Sequence, residues 1–590
     1  MAFPIKLTLT TLSTIILCSQ LLACKSDISA EKENSPKTDT VAPTLGDYRT
    51  RNIKDEVFYF VLPDRFYNGD PNNDLGSTTE AVSRGGFDPK NIHAYHGGDL
   101  AGLTEKLPYI QALGATAIWL TPILRNQAMQ GDISGYHGYW IVDFTEIDPH
   151  LGSANDLHTL IEKAHALNIK VFFDIITNHT ADVIKYKECH GEKGEDILYT
   201  GDRCPYKSLA QLDAGDSYTP VIPHEKLAFK KPDWLNDPKY YHNQGDTTFV
   251  GENSIYGDFS GLDDLDTDNP EVTERMIKLF QDLITQFKPD GFRIDTVKHV
   301  NIAFWERFSP ALMAHAKEIG IENFHMFGEV YSADPNILSK FMTQGSLPSV
   351  LDFGFQDIII DSVVKKAPTV HLEKFFDNDK LYHSPPYSAH DLLNFVGNHD
   401  MGRFAYFLKQ QNPDISEGEA LVRIRLAHAM MFFLRGIPVI YYGDEQGFVG
   451  TGGDKYARED MMASQVPHYN AGDLLGTHDT TANNNFDTSH PLFKSFRQYA
   501  DIYHAHPGLR YGKQRVLYSE KSAGLFIVER ESEYGKYIVV FNTSDMDAKT
   551  TIDTEKPHYS LISDKEIKLN SDGMLEVRVP ALNFEIFKAR

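Results

Sequence analysis

Short apolar strands that alternate with amphipathic helices, polar clusters where those strands end, and a terminal run of strands without helices predict an α/β chain. The expected architecture is a (β/α)8 (TIM) barrel. A small domain is expected after its third strand and a β-sandwich at its C-terminal end. The 590 residues are enough for more than one such unit.

Before the barrel, Lys6 precedes an apolar run from Leu7 to Ala23 that closes on Leu21-Leu22-Ala23-Cys24. A positive start, a short apolar core and a small residue before the cut describe a secretory signal over residues 1–23. A cysteine directly after the cut resembles the bacterial lipoprotein box. That resemblance implies lipidation of Cys24 and an exported protein anchored to a membrane, the outer membrane on its periplasmic or cell-surface side. The alternative is an ordinary signal peptide with an incidental cysteine. Further on, the apolar run from Ala429 to Tyr442 is broken by Arg435 and Pro438, so it does not reach spanning length. Residues 24–51 are rich in Ser, Lys, Glu, Thr, Asp and Pro and read as a solvated tether.

The barrel is expected over residues 52–178 and 258–506. Val57 to Leu62 is a first buried strand, and Ala117-Ile118-Trp119-Leu120 a second that stops at Thr121-Pro122. Leu157, Leu160, Ile161, Ala164 and Leu167 recur at helical spacing and lead into a strand from Val171 to Ile176. Asn269-Pro270-Glu271 supplies a cap, a first-turn proline and an early acid. The helix that follows carries Val272, Met276, Phe280, Leu283, Ile284 and Phe287 on one face and delivers the chain to Gly291. Ser349 to Leu351, Leu393 to Phe395 and Pro438 to Tyr441 supply later strands.

Between His179 and Gly257 this rhythm stops in favour of Gly, Asp, Tyr and Pro, so residues 179–257 are read as the inserted domain. Of four cysteines, Cys18 falls in the signal and Cys24 after it. That leaves Cys189 and Cys204, fifteen positions apart, for which export favours a disulfide over a metal pair. From residue 507 to 590 alternating strands such as Gly524 to Arg530 and Lys536 to Asn542 predict the sandwich, with no helix. The formal charge of −25 argues against nucleic acid as a partner and suits a neutral substrate. Oligomeric state is not legible.

Four motifs carry chemistry. Gly291-Phe292-Arg293-Ile294-Asp295 ends in Thr296-Val297-Lys298-His299, and Arg293 and Asp295, two apart on a strand, share a face. An arginine beside a carboxylate keeps it ionised, which suits a nucleophile. Phe172 to His179, Phe327-Gly328-Glu329-Val330 and Phe395-Val396-Gly397-Asn398-His399-Asp400 are the others. In their order and context the four resemble the strand-end motifs of the α-amylase superfamily of glycoside hydrolases. The resemblance runs from about Val57 to the C-terminal end, with the tether and much of the insertion unmatched. It implies Asp295 as nucleophile, Glu329 as acid and then base, and Asp400 as the carboxylate that binds hydroxyls of the distorted sugar and keeps Glu329 protonated. It further implies that His179, His399 and Arg293 serve the same sugar, with Lys298 and His299 on the leaving-group side.

In Gly135-Tyr136-His137-Gly138-Tyr139-Trp140 the resemblance makes Tyr139 a stacking face and His137 a hydroxyl partner, while Trp140 suits a core position equally well. Gly453-Asp454-Lys455-Tyr456-Ala457-Arg458 resembles the loop that holds a second sugar through Asp454 and Arg458. Calcium is implied at one or two sites. Asn178, Asp264 and the backbone of His299 match a site that ties the insertion to the barrel; Asn68, Asp70, Asn73, Asp74, Gly97 and Asp99 resemble a cyclodextrin glucanotransferase site. Turn-forming composition is the rival account of both.

The expected activity is retaining hydrolysis of internal α-1,4 bonds of starch and maltooligosaccharides. Lys298-His299 resembles α-amylases and glucanotransferases, where neopullulanase-type enzymes carry Asn-Glu. Val330 departs from the bulky aromatic of the glucanotransferases, and Leu262 to Asp266 resembles the amylase form. The Asn68 to Asp74 segment keeps a neopullulanase, cyclomaltodextrinase or transglycosylating enzyme as the alternative. An inactive glycan-binding surface protein is the non-enzymatic rival, and the survival of all three carboxylates weighs against it.

Overall fold

The computed structural model describes residues 45–78, 84–194, 204–554 and 556–589; the expected signal, Cys24 and the tether up to residue 44 lie outside the described residues. Eight parallel strands form one sheet: β1 (Phe58–Val61), β2 (Ala117–Leu120), β3 (Lys170–Ile176), β4 (Gly291–Asp295), β5 (His325–Gly328), β6 (Ser349–Val350), β7 (Leu393–Asn394) and β8 (Ile437–Tyr441). Neighbours in sequence are neighbours in the sheet, β8 pairs with β1, and a parallel bridge from Leu351 to Leu393 closes the ring between β6 and β7. The (β/α)8 barrel expected from the alternating pattern is therefore the fold. Its strands are buried on both faces, which is why β1 and β2 read as unbroken apolar runs.

Helices α1 (Leu100–Leu113), α2 (Ala154–Ala166) and α3 (Pro270–Phe287) show how the sequence sets the outer layer. Asp99 caps α1 by accepting from the Gly102 amide at 2.6 Å, Ser153 and Asp156 close a capping box on α2, and Asn269 caps α3 ahead of Pro270. The α3 face of Val272, Met276, Phe280, Leu283, Ile284 and Phe287 is buried as its spacing predicts. Each such side chain contributes roughly 1.5–3 kcal/mol on burial, far more than the few tenths at stake in helix propensity, so the face decides where α3 docks.

Two expectations need correcting. The tether does not stay solvated to residue 51. Tyr48 stacks on His165 with ring centroids 4.0 Å apart, and Arg51 is buried in a bidentate pair with Glu56 at 2.9 and 3.1 Å. Hydropathy counts Arg51 as polar, but its charge is matched underneath the barrel. Second, the segment after residue 506 is not free of helix, since Pro507–Tyr511 forms a short one with proline in its first turn.

The insertion leaves the barrel at a two-stranded ladder in which His179 faces Asp264 and Thr180 faces Asp263. Asp263 fastens it, accepting from the Val183 and Ile184 amides and from buried Lys230. Cys189 and Cys204 are disulfide-bonded, with Cα atoms 5.9 Å apart. At the C-terminal end a six-stranded antiparallel sheet faces a two-stranded one across Leu525, Ile527, Ile538, Val540, Leu575 and Val577. Its other face, with Phe526, Val528, Val539 and Phe584, is part of the main core, where Phe584 packs 5.6 Å from Phe433. The sandwich thus buttresses the barrel. Among the described residues no helix is long and apolar enough to cross a membrane.

Candidate active site

The carboxyl ends of β4, β5 and β7 open into a cleft of about 620 Å³ lined by Asp295, Glu329 and Asp400. Asp295 ends β4, Glu329 follows β5, and Asp400 lies on the turn beyond β7. The first two are nearly buried, while the Asp400 side chain is about a third exposed.

Under this trio lies Arg293, 1% exposed. Its Nη1 donates to Asp174 at 2.8 and 3.0 Å and to Asp295 Oδ1 at 2.8 Å, and its Nη2 lies 3.0 Å from Glu329 Oε1. Arg293 was expected to touch the sugar. It does not line the cleft: its terminal nitrogens are committed to carboxylates, so it positions Asp295 and Glu329 from below. Asp174, to which sequence reasoning gave no role, is the third carboxylate on this guanidinium. Burial pushes it up to about 7, and Tyr139 Oη and Trp119 Nε1 donate to it at 3.0 and 3.2 Å. Its signal was available: it is a charge in the middle of the apolar stretch 171–176.

Glu329 differs from Asp295 in environment. Burial first, then the neighbouring Asp295 and Asp400, push its carboxyl up to about 8 against the pull of Arg293. The Thr296 amide donates to its Oε2 at 3.1 Å, fixing the side chain toward β4. Thr296 sits at φ +49, a left-handed turn that lets the chain leave β4 with Val297 bonded to the Glu329 carbonyl at 2.9 Å.

Four histidines surround the trio: His137, His179, His299 and His399 all line the cleft or touch its residues. Burial lowers the pKa of each, His299 to about 4. They are therefore neutral, able to donate and accept toward hydroxyls. His179 Nε2 and His399 Nδ1 are buried with no partner, ready for one. Tyr139, half-buried, donates its hydroxyl toward Asp174 and meets His399 Nε2 at 2.8 Å. Trp140 does both: it packs against the buried cluster of Val142, Ala181 and Val183 and lines the cleft.

Arg458 closes the other side. Its Nη2 lies 3.0 Å from Asp400 and 2.7 Å from Asp454, and its Nε donates to the His399 carbonyl at 3.0 Å. Tyr136, not singled out from the sequence, joins through its hydroxyl at 3.3 Å and rests on the Arg65 guanidinium 3.8 Å away. Lys298 donates to the Tyr331 carbonyl at 2.9 Å and His299 contacts the Ser254 carbonyl at 2.7 Å, so the insertion completes the wall beyond the nucleophile.

The two calcium-type residue sets differ. Asn68 and Asn73 each hold a buried, unpartnered amide oxygen, and Asn68 Nδ2 donates to Asp74 at 2.8 Å. Burial, with Asp99 and Asp70 nearby, pushes Asp74 up to about 6; Asp99 is raised as well. Orphaned oxygens beside anions short of a counter-charge fit a hard cation. Asp70 instead accepts from Asn72, and a Cβ at Gly97 would fall 2.7 Å from both Asn68 and Asp74, so only glycine leaves the loop room. At the second set Asp264 is buried beside Asn178, but its Oδ2 is 2.6 Å from His242. Against burial, bonds to Asp264 and Asp266 push His242 up to about 10, so an imidazolium already supplies part of the charge that sequence reasoning assigned to a metal. Among the described residues no three His, Cys, Asp or Glu side chains converge as metal ligands. A cation would need amide and backbone oxygens in addition to these carboxylates.

A barrel whose strand ends bring an aspartate and a glutamate raised toward its protonated form onto one arginine has the architecture of a glycoside hydrolase. The chain belongs to the α-amylase family: the family model of the α-amylase catalytic domain matches residues 60–486. It is 44% identical over 527 residues to an α-amylase of Streptomyces lividans, covering 85% of this chain and 57% of that protein. It is 27% identical over 534 residues to a cyclomaltodextrin glucanotransferase of Klebsiella oxytoca, covering 84% of this chain and 71% of that one. Among solved structures, an α-amylase from Geobacillus thermoleovorans complexed with acarbose superposes with a TM-score of 0.67 at 26% identity, over 92% of this chain and 99% of that one. A glucanotransferase with a three-domain ABC distribution gives 0.69 at 26% identity, over 91% and 99%. The chain thus spans little more than half of the Streptomyces relative.

Proposed function

We propose that the chain hydrolyses internal α-1,4 bonds of starch and maltooligosaccharides with retention at the anomeric carbon. The observation that carries this is the pairing of Asp295 and Glu329 on Arg293, with Glu329 pushed up to about 8. Two carboxyls on one guanidinium are close neighbours, as the retaining reaction's separation of about 5–5.5 Å requires. Asp295 attacks the anomeric carbon while Glu329 gives its proton to the departing oxygen. The glycosyl–Asp295 ester then forms, and Glu329, now a carboxylate, takes a proton from the water that breaks it. Asp400, oriented by Arg458, accepts hydroxyls of the distorted ring, with neutral His179 and His399 beside it. The Streptomyces α-amylase and the acarbose-bound relative support this substrate class.

Transglycosylation or action on cyclic and branched glucans is the second reading, favoured by the glucanotransferase relatives and the Asn68 to Asp74 loop. The test is the ratio of kcat/KM on soluble starch, pullulan and cyclodextrin. Starch is expected to exceed the other two at least about tenfold. Equal or better values on pullulan or cyclodextrin would hand the case to the second reading.

Calcium belongs to the proposal. Asn68, Asn73, Asp74 and Asp99 would hold it in the β1–α1 loop, Asn178 with Asp264 and the His299 carbonyl at the root of the insertion; its role there is to neutralise crowded oxygens. Exhaustive chelation is expected to lower the melting temperature and the activity together, with calcium restoring both. An unchanged melt, with no calcium by elemental analysis, would refute both sites.

The export reading stands on Leu21-Leu22-Ala23-Cys24 alone. Cys24→Ser is expected to shift the protein from the membrane fraction to the soluble one. A mature N-terminus other than a lipid-modified Cys24, read by mass spectrometry, would sink the anchor.

A further inference from the structure

A second groove among the described residues is larger than the catalytic cleft. A channel of about 1150 Å³ runs between the insertion and the segment that follows β2, against about 620 Å³ for the cleft. Only Ser260 lines both, and with Gly261 it forms the turn dividing them, at φ +56 and +85.

The charges of this groove are largely settled within the protein. Lys185 pairs with Asp182, Arg125 with Glu146 at 2.9 Å, and Lys231 with Asp233. An anion would have to break such pairs on a chain of net charge −25. Lys226 is the exception. It is half-buried, with no carboxylate within 4.0 Å among the described residues; its ammonium lies 3.5 Å from the Gln127 side-chain oxygen and the Asp182 carbonyl and 5.8 Å from the centre of the Phe229 ring. Its pKa is lowered chiefly by burial. Nearby, the Gln130 side-chain oxygen is buried without a partner, and the Phe229 ring is 39% exposed at the rim. A donor short of acceptors, an acceptor short of donors and an exposed aromatic ring are what a sugar ring consumes, with its hydroxyl edge and apolar face.

We propose that this groove binds a second stretch of the same neutral α-glucan, held by Lys226, Gln127 and Gln130 and stacked on Phe229. This rests on the α-glucan reading of the cleft. Polymer held in the groove raises the local concentration of bonds at the cleft across the Ser260–Gly261 turn, a gain open only to substrates long enough to reach both.

The test compares soluble starch with p-nitrophenyl maltotrioside, which is too short to engage both. Lys226→Met with Phe229→Ala, and separately Ala228→Trp to fill the groove, are expected to raise KM for starch about tenfold. The expected kcat is unchanged, as is kcat/KM on the maltotrioside. In an Asp295→Asn background, calorimetric titration with maltoheptaose is expected to find two sites, and one after the groove substitutions. A parallel loss on both substrates would make the groove structural, and an unchanged starch KM or a single site in the parent would overturn the proposal. If the unsubstituted protein cleaves neither substrate, the hydrolase reading fails, while the titration still decides the groove.

Discussion

Replacing Asp295 by Asn is expected to cost on the order of 10⁴-fold or more in kcat on starch while leaving the fold intact. The amide keeps the shape of the carboxylate and its hydrogen bond from Arg293 Nη1, 2.8 Å away in the parent, so no cavity opens in a residue only 6% exposed. What it loses is the negative charge that attacks the anomeric carbon. The loss of one anion also leaves Arg293 with Asp174 and Glu329 alone. A melting temperature within a few degrees of the parent, together with lost turnover and retained maltoheptaose binding, is the expected set. Near-parental starch cleavage would remove Asp295 from the nucleophile's role.

The barrel was legible because its strands are buried on both faces, so runs such as Phe58–Val61 and Ala117–Leu120 carry no alternating polar residue to blur them. The three carboxylates that line the cleft stood out in the sequence because polar residues end those strands. Where legibility failed, partnership across the chain decided. Arg293 looked like a sugar ligand until three carboxylates, one of them 119 residues away, were seen to occupy it. His242 carries no motif: it sits in the Gly- and Asp-rich insertion, and only folding brings it against Asp264 and Asp266. Arg51 read as tether because composition cannot show that Glu56, fully buried beside Lys170 at 3.1 Å, waits for a counter-ion. In each case burial of a charge was tolerable only with a partner that hydropathy does not record.

Glu329→Gln is expected to remove most of the activity on starch but comparatively little on substrates whose leaving group departs without a proton, such as activated aryl maltosides. That split distinguishes the loss of an acid from the loss of a nucleophile. In the parent, the carboxyl pushed up to about 8 remains protonated through neutral pH, so kcat/KM should fall about tenfold per unit above that value. The same shift has a stability consequence of definite sign. Unfolded, the group titrates near its ordinary 4.5; folded, it titrates near 8. Below 4.5 both states are neutral and the group's contribution is fully present; it is lost as pH rises toward 8, because the unfolded chain releases the proton that the folded one retains. The amide of the Glu329→Gln variant cannot titrate. Its melting temperature should therefore gain on that of the parent as pH is raised from 5 to 9, and a constant gap across that range would mean that Glu329 titrates normally and is not the acid.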